Sequence, residues 1–186
     1  MIDFESLLRK CQRNDRKAQQ VLYDLFKNKM MGICLRYSIS TAEADDIFQD
    51  AFVKVFKKIN QLKDSKSLQY WIRRIVINTA INHYHQQKKY LFSESYNEAP
   101  EQFVESASVL NEMDTQQLMD MIRKLPEGYR LVFNLYVVDG FNHKEIGAML
   151  DISENTSKSQ LRKAKIHLQN QLKKMGIRQE IYNNKI

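Results

Sequence analysis

The chain has 186 residues, with 29 Lys/Arg against 22 Asp/Glu, a formal charge of +7 and a pI near 9.3. No stretch reaches the roughly 18 consecutive apolar residues of a membrane helix, and Asp3 and Glu5 stand where a signal peptide needs positive charge. The only cysteines, Cys11 and Cys34, have no metal-ligand spacing, so the expectation is two reduced core thiols in a cytoplasmic protein with no metal and no cofactor.

Five Gly, two Pro and an abundance of helix formers predict an all-α chain of two small helical domains. Charge divides it further. Residues 1–92 hold 17 Lys/Arg and 9 Asp/Glu, residues 93–114 hold none and 6, and residues 115–186 hold 12 and 7. Two basic modules flank an acidic connector. Basic surfaces attract polyanions, nucleic acid among them. The boundaries read as 1–92, a linker over 93–113, and 114–186.

In the first module, Phe4, Leu7, Leu8 and Cys11 make a short amphipathic set, and Asn14-Asp15 punctuates the chain. Leu22, Leu25, Phe26, Met30, Ile33 and Tyr37 then recur at helical spacing, predicting a helix over 16–38. Thr41 is the expected N-cap of a third helix over about 42–60. Its stripe Ile47, Ala51, Val55 and Ile59 lies beside Phe48, Phe52 and Phe56. On the other side Asp46, Gln49 and Asp50 cluster at i, i+3, i+4. This acidic patch on a basic module reads as a docking site for a basic partner, or as an ordinary solvated face. A fourth helix over 67–89 has an apolar side of Leu68, Trp71, Ile72, Ile75, Val76 and Thr79. It also carries Arg73, Arg74, Asn78, Asn82, His83, His85, Gln86, Lys88 and Lys89, and cations and amides of this kind serve base and phosphate contacts. His83 and His85 are two apart and do not share a face.

In the second module, Leu118, Met121, Ile122 and Leu125 form the inner side of one helix. Pro126 suits the first turn of the next, filled by Leu131, Val132, Leu135, Tyr136 and Val138 and capped by Gly140. Asn142 with Glu145 is a capping-box start, and Ile146, Met149 and Leu150 point inward. Ile152 and Ser153 make a turn into a last helix with the stripe Leu161, Ala164, Leu168 and Leu172. At 100° per residue, Asn155, Ser159, Arg162, Lys163 and Ile166 fall opposite that stripe, with Lys158 at its flank. Helix–short turn–helix with a basic outer face suits major-groove binding; a basic helix docking on a protein, or facing water, has the same pattern.

Three runs together resemble one family. Ala44-Asp45-Asp46-Ile47-Phe48-Gln49-Asp50-Ala51-Phe52-Val53-Lys54-Val55-Phe56 resembles region 2.2 of the extracytoplasmic function (ECF) sigma factors of bacterial RNA polymerase. Trp71-Ile72-Arg73-Arg74-Ile75 with Asn78-Thr79-Ala80 resembles their promoter-melting helix. Leu125-Pro126-Glu127 and Ser153-Glu154-Asn155-Thr156-Ser157-Lys158-Ser159 resemble their C-terminal helix-turn-helix.

The resemblance implies a transcription initiation factor, not an enzyme, with region 2 in the first module and region 4 in the second. Asp46, Gln49 and Asp50 would dock on the coiled coil of the polymerase β′ subunit, with the β flap as a further contact. Asp64, Ser65, Lys66 and Ser67 would help form a pocket for a flipped base of the −10 element. Arg74, Asn78, Asn82, His83, Gln86, Lys88 and Lys89 would contact that element. Asn155, Lys158, Ser159, Arg162 and Lys163 would read the −35 element, with Thr156 on phosphate. The acidic linker would thread the polymerase's nucleic-acid channels. Partners would be core polymerase, promoter DNA and an anti-sigma factor, with no small-molecule substrate. Asn155, Ser157 and Gln160 depart from the family's usual Gly, apolar residue and Arg. Two other readings compete: a helix-turn-helix regulator acting without polymerase, and a metal-dependent nuclease built on Asp45, Asp46, Asp50, His83 and His85.

Overall fold

The computed structural model describes residues 3–93 and 115–175, and the chain divides into two compact units, Met1–Glu94 and Ser95–Ile186. The described residues form helices joined by turns. The acidic stretch lies outside them, as does any role assigned to it.

The first unit holds α1 (Phe4–Gln12), α2 (Arg16–Tyr37), α3 (Thr41–Lys58) and α4 (Leu68–Ser93). The starts of α1, α2 and α3 each follow from a side chain that satisfies otherwise orphaned backbone N–H groups. Asp3 accepts from Glu5 and Ser6, and Asp15 accepts from Ala18 at 3.0 Å. Asn14 before it adopts φ 59°, a left-handed conformation that Asn tolerates, which lets the chain reverse between α1 and α2. The cap of α3 is Ser40 rather than Thr41: its Oγ accepts from the Glu43 N–H at 3.2 Å, while the Glu43 carboxylate accepts from the Ile39 N–H at 2.7 Å.

α2, α3 and α4 pack on one another in this unit. Leu22, Ile47, Ile59, Leu68 and Ile72 are fully buried there, as are Val55 and Val76. Tyr23, Phe48 and Phe52 meet at ring-centroid distances of 4.7 to 5.7 Å, the edge and tilted contacts that aromatic quadrupoles favour. Between α3 and α4 two 3-10 turns, Ile59–Gln61 and Ser65–Ser67, bridge the corner. Gln12 of α1 donates to the carbonyls of Ile59 and Leu62, pinning the first turn against the first helix. Phe4, expected inside, is 42% exposed, one turn ahead of the buried Leu7, Leu8 and Cys11.

The second unit holds α5 (Thr115–Arg123), α6 (Glu127–Phe133), α7 (His143–Leu150) and α8 (Glu154–Lys174). Met121, Ile122, Leu125, Ala164 and Leu168 form one core cluster, with Tyr129, Phe133 and Leu172 against it. Pro126 is the N-cap of α6 itself. That helix continues into a π turn over Asn134–Val138 and ends at Gly140 with φ 80°. Leu118, Tyr136 and Val138, all expected inside, are exposed at 38 to 40%. For the last two the π turn is the reason: its i→i+5 bonding adds a residue to the turn and rotates everything after it away from the 3.6-residue phase.

Candidate nucleic-acid interface

The turn between α7 and α8 is built by specific residues. Asn142 and Glu145 form the full capping box, with bonds of 2.9 and 2.8 Å. Asp151 closes α7 at φ 55°, and a Cβ on Gly147 would sit 2.8 Å from the Ile152 carbonyl oxygen. Only a residue without a side chain allows so close an approach. Ser153 then caps α8, accepting from the Thr156 N–H at 3.0 Å and meeting its hydroxyl at 2.8 Å.

α8 buries Ser157, Leu161, Ala164 and Leu168 and exposes Asn155, Thr156, Lys158, Ser159, Arg162, Lys163 and Ile166. The expected outer face is thus assembled in full on one solvent-facing side. Lys158 and Arg162 also line a shallow groove with Leu161, Lys165, Ile166 and Gln169. Lys165, which lies outside the face opposite the core stripe, joins the groove from its edge. Lys158 is not a free cation: its Nζ lies 2.6 Å from the Glu154 carboxylate, which that hydrogen bond holds below the usual Glu range. The helix N-terminus adds positive potential beside these cations.

On α4, Arg74, Asn78, Asn82, Gln86 and Lys89 are all exposed and follow one another at steps of four and three, so they form a single stripe. Lys88 is exposed beside it. Tyr70, which the sequence reading did not single out, is 61% exposed and stands four residues before Arg74, at the head of the stripe. Its spacing was the available signal. An exposed ring gives a polar stripe the stacking surface that unpaired bases need. The adjoining turn is ordered by Asp64, whose carboxylate accepts from the Lys66 N–H at 2.9 Å and whose carbonyl accepts from the Ser67 hydroxyl at 2.8 Å.

His83 is set apart from the stripe. Its ring turns to α3, where Nε2 lies 2.9 Å from Asp50 Oδ2. Gln87 donates to Glu43 at 2.8 Å, and Lys54 donates to Thr79 at 3.3 Å. These contacts rise along α4 as they descend along α3, so the two helices run antiparallel with a polar seam on one flank. Asp46, Gln49 and Asp50 are exposed beside that seam, and Val53, half exposed, extends their face by one turn. Asp50 and His83 meet, but among the described residues no group of three or more His, Cys, Asp or Glu side chains is placed to hold a metal ion. Among the same residues no helix is long and apolar enough to cross a membrane.

A basic helix-turn-helix unit and a separate four-helix unit with a polar and an acidic face define a class of DNA-binding transcription protein. Comparison with known proteins narrows it. Residues 22–90 match the family model of sigma-70 region 2, and residues 115–168 match that of sigma-70 region 4. The ECF RNA polymerase sigma-E factor of Haemophilus influenzae is 24% identical over 179 residues, covering 90% of this chain and 94% of that protein. Its counterpart in Escherichia coli K12 is 25% identical over 177 residues, covering 89% and 92%. The sigma factor RpoE solved in complex with the anti-sigma factor NepR from Bartonella quintana shares the fold, at a TM-score of 0.53 and 20% identity over 83% of this chain and 96% of that one. CnrH, solved in complex with the cytosolic domain of CnrY, gives a TM-score of 0.50 and 18% identity over 90% and 96%. The chain belongs to the sigma-70 family, as an ECF sigma factor.

Proposed function

We propose that this chain binds core RNA polymerase in the bacterial cytoplasm and directs it to specific promoters. The observation that carries this reading is the pairing of two faces: the stripe Tyr70, Arg74, Asn78, Asn82, Gln86 and Lys89 on α4, and the basic outer face of α8. One suits splayed single-stranded bases, the other the duplex major groove.

In this reading Asp46, Gln49 and Asp50 meet the basic coiled coil of the polymerase β′ subunit, and region 4, over 114–186, meets the β flap. Region 2, over 1–92, melts the −10 element, with the turn at Asp64, Ser65, Lys66 and Ser67 beside the flipped base. Arg74, Asn78, Asn82, Gln86, Lys88 and Lys89 contact that strand, and His83 supports them through Asp50. Asn155, Lys158, Ser159, Arg162 and Lys163 read the −35 element, with Thr156 against phosphate. The factor is not an enzyme. Binding energy offsets the unstacking of each flipped base, a few kcal/mol by rough estimate. The acidic linker, 93–113, imitates a polyanion in a basic channel. The relatives solved with NepR and CnrY support an anti-sigma factor as a further partner.

The test is a titration of the full chain into purified core polymerase. Saturable complex formation that Asp46→Arg/Asp50→Arg abolishes supports the reading; no complex, or one that the variant leaves intact, contradicts it.

A further inference from the structure

Ser157 points inward from the first turn of α8 and has no exposed surface. A buried hydroxyl needs a partner, and this one finds it on another helix: its Oγ lies 2.9 Å from Nδ1 of His143, the first residue of α7. The imidazole is itself held. It stacks on the Tyr136 ring of the π turn, with centroids 4.4 Å apart and planes 19° from parallel. Three elements thus meet at one hydrogen-bonded stack.

This stack lies beside the reading residues. Ser157 is followed at once by Lys158 and Ser159, and Ser153 and Thr156 fix the backbone just before it. Gly147 and Ile152 join α7 to α8 at the turn and the two helices pack on each other, but apolar packing is not directional and fixes the rotation of one on the other only loosely. A second fixed point restricts that rotation, and the Ser157–His143 bond supplies one. The bond is directional where an apolar contact at the same site would not be. The unusual π turn also gains a use, because it presents Tyr136 to the imidazole rather than to the core.

We infer that His143 is a positioning residue for −35 specificity: held by Tyr136, it fixes through Ser157 the rotation at which α8 presents Lys158 and Arg162 to DNA. This rests on the sigma reading, with α8 as the reading helix.

The experiment uses the full chain with core polymerase and a genomic fragment selected by its transcription, compared with the same fragment carrying a scrambled −35 segment. His143→Phe keeps a ring over Tyr136 and removes the bond, leaving Ser157 without its partner. It is expected to lower the intact-to-scrambled ratio by about tenfold, with polymerase affinity unchanged. His143→Asn places a hydrogen-bonding atom near the former Nδ1 and is expected to stay within about threefold of the wild type. His143→Phe/Ser157→Ala removes both partners and is expected to lose no more discrimination than His143→Phe alone, because each single change already breaks the same bond. A readout without DNA is the imidazole Nδ1 resonance of the free chain, which Ser157→Ala must shift.

An unmoved resonance, or a His143→Phe ratio equal to the wild type, overturns the inference. So does a His143→Phe loss matched by an equal fall in polymerase affinity, or strictly additive single losses in the double variant. The wild-type ratio reports on the sigma reading, and the resonance and the differences among variants report on the stack.

Discussion

His83 Nε2 lies 2.9 Å from Asp50 Oδ2, so the polar stripe of α4 is borne on a helix bonded to the acidic patch of its neighbour. The pair is asymmetric: the Asp50 side chain is 58% exposed and that of His83 19%. Water therefore competes for this hydrogen bond, which contributes on the order of 0.5 kcal/mol to stability. His83→Ala is expected to leave thermal unfolding within a few degrees of the wild type. Its −10 affinity should nevertheless fall, because Asn82 and Gln86 flank a residue that has lost its anchor. Urea unfolding and binding of a −10 single strand by holoenzyme separate the two effects; unfolding shifted as strongly as in a core variant would contradict the weak-pair account.

Glu154 pairs with Lys158 at the start of α8. Removing it with Glu154→Ala frees a cation and deletes a like charge to phosphate. Non-specific DNA affinity should rise, and the slope of log K against log salt should steepen by roughly one contact. Lys158→Ala should do the reverse and also relax promoter discrimination. Equilibrium binding across a salt series checks both, and an unchanged slope in either variant would count against this placement.

Gly147→Ala puts a methyl group against the Ile152 carbonyl, and that neighbour is backbone. The turn must open, at a cost of about 1–3 kcal/mol by analogy with overpacking. The substitution is expected to abolish −35 recognition while polymerase docking through Asp46 and Asp50 persists. Loss of both together would show that the turn is not a local feature of the second unit.

The thiols offer a prediction in pH. Burial pushes Cys34 up to about 12 and Cys11 up to about 11 from the ordinary 9.0. In the unfolded chain both ionise near 9.0, while the folded state holds their protons, so stability is intact below that pH. It should fall as pH rises from about 9 towards 11 and 12. A Cys11→Ala/Cys34→Ala variant should lose this alkaline slope, though with a lower baseline from the lost packing. Unfolding midpoints across that range check it, as does slow thiol labelling of the native protein at neutral pH.

Much of this architecture could be read from spacing. The stripes Ile47–Ala51–Val55–Ile59 and Leu161–Ala164–Leu168 are buried because a 3.6-residue repeat leaves no other way to hide them. The outer face of α8 follows from the same arithmetic. The pattern failed where the backbone departs from that repeat. Tyr136 and Val138 counted as core until the π turn carried them outward. Ser40 and Thr41 are adjacent hydroxyls, and composition does not say which of them caps. Contacts between distant residues were also hidden. The sigma resemblance places His83 and Asp50 on different partners, and helical spacing alone does not bring residue 83 to residue 50. Ser157 registered only as an odd residue for its position; its bond to His143 depends on how α7 crosses α8.

Transcription from genomic DNA tests the promoter-directing role. Core polymerase, the full chain and a pool of genomic fragments are incubated with nucleotides, and the transcript ends are mapped. Discrete starts are expected, absent with core alone. They should share an upstream element whose use Arg162→Ala relaxes and a proximal element whose use Asn78→Ala weakens. Transcripts with no common start, or starts identical to those of core polymerase alone, would contradict it.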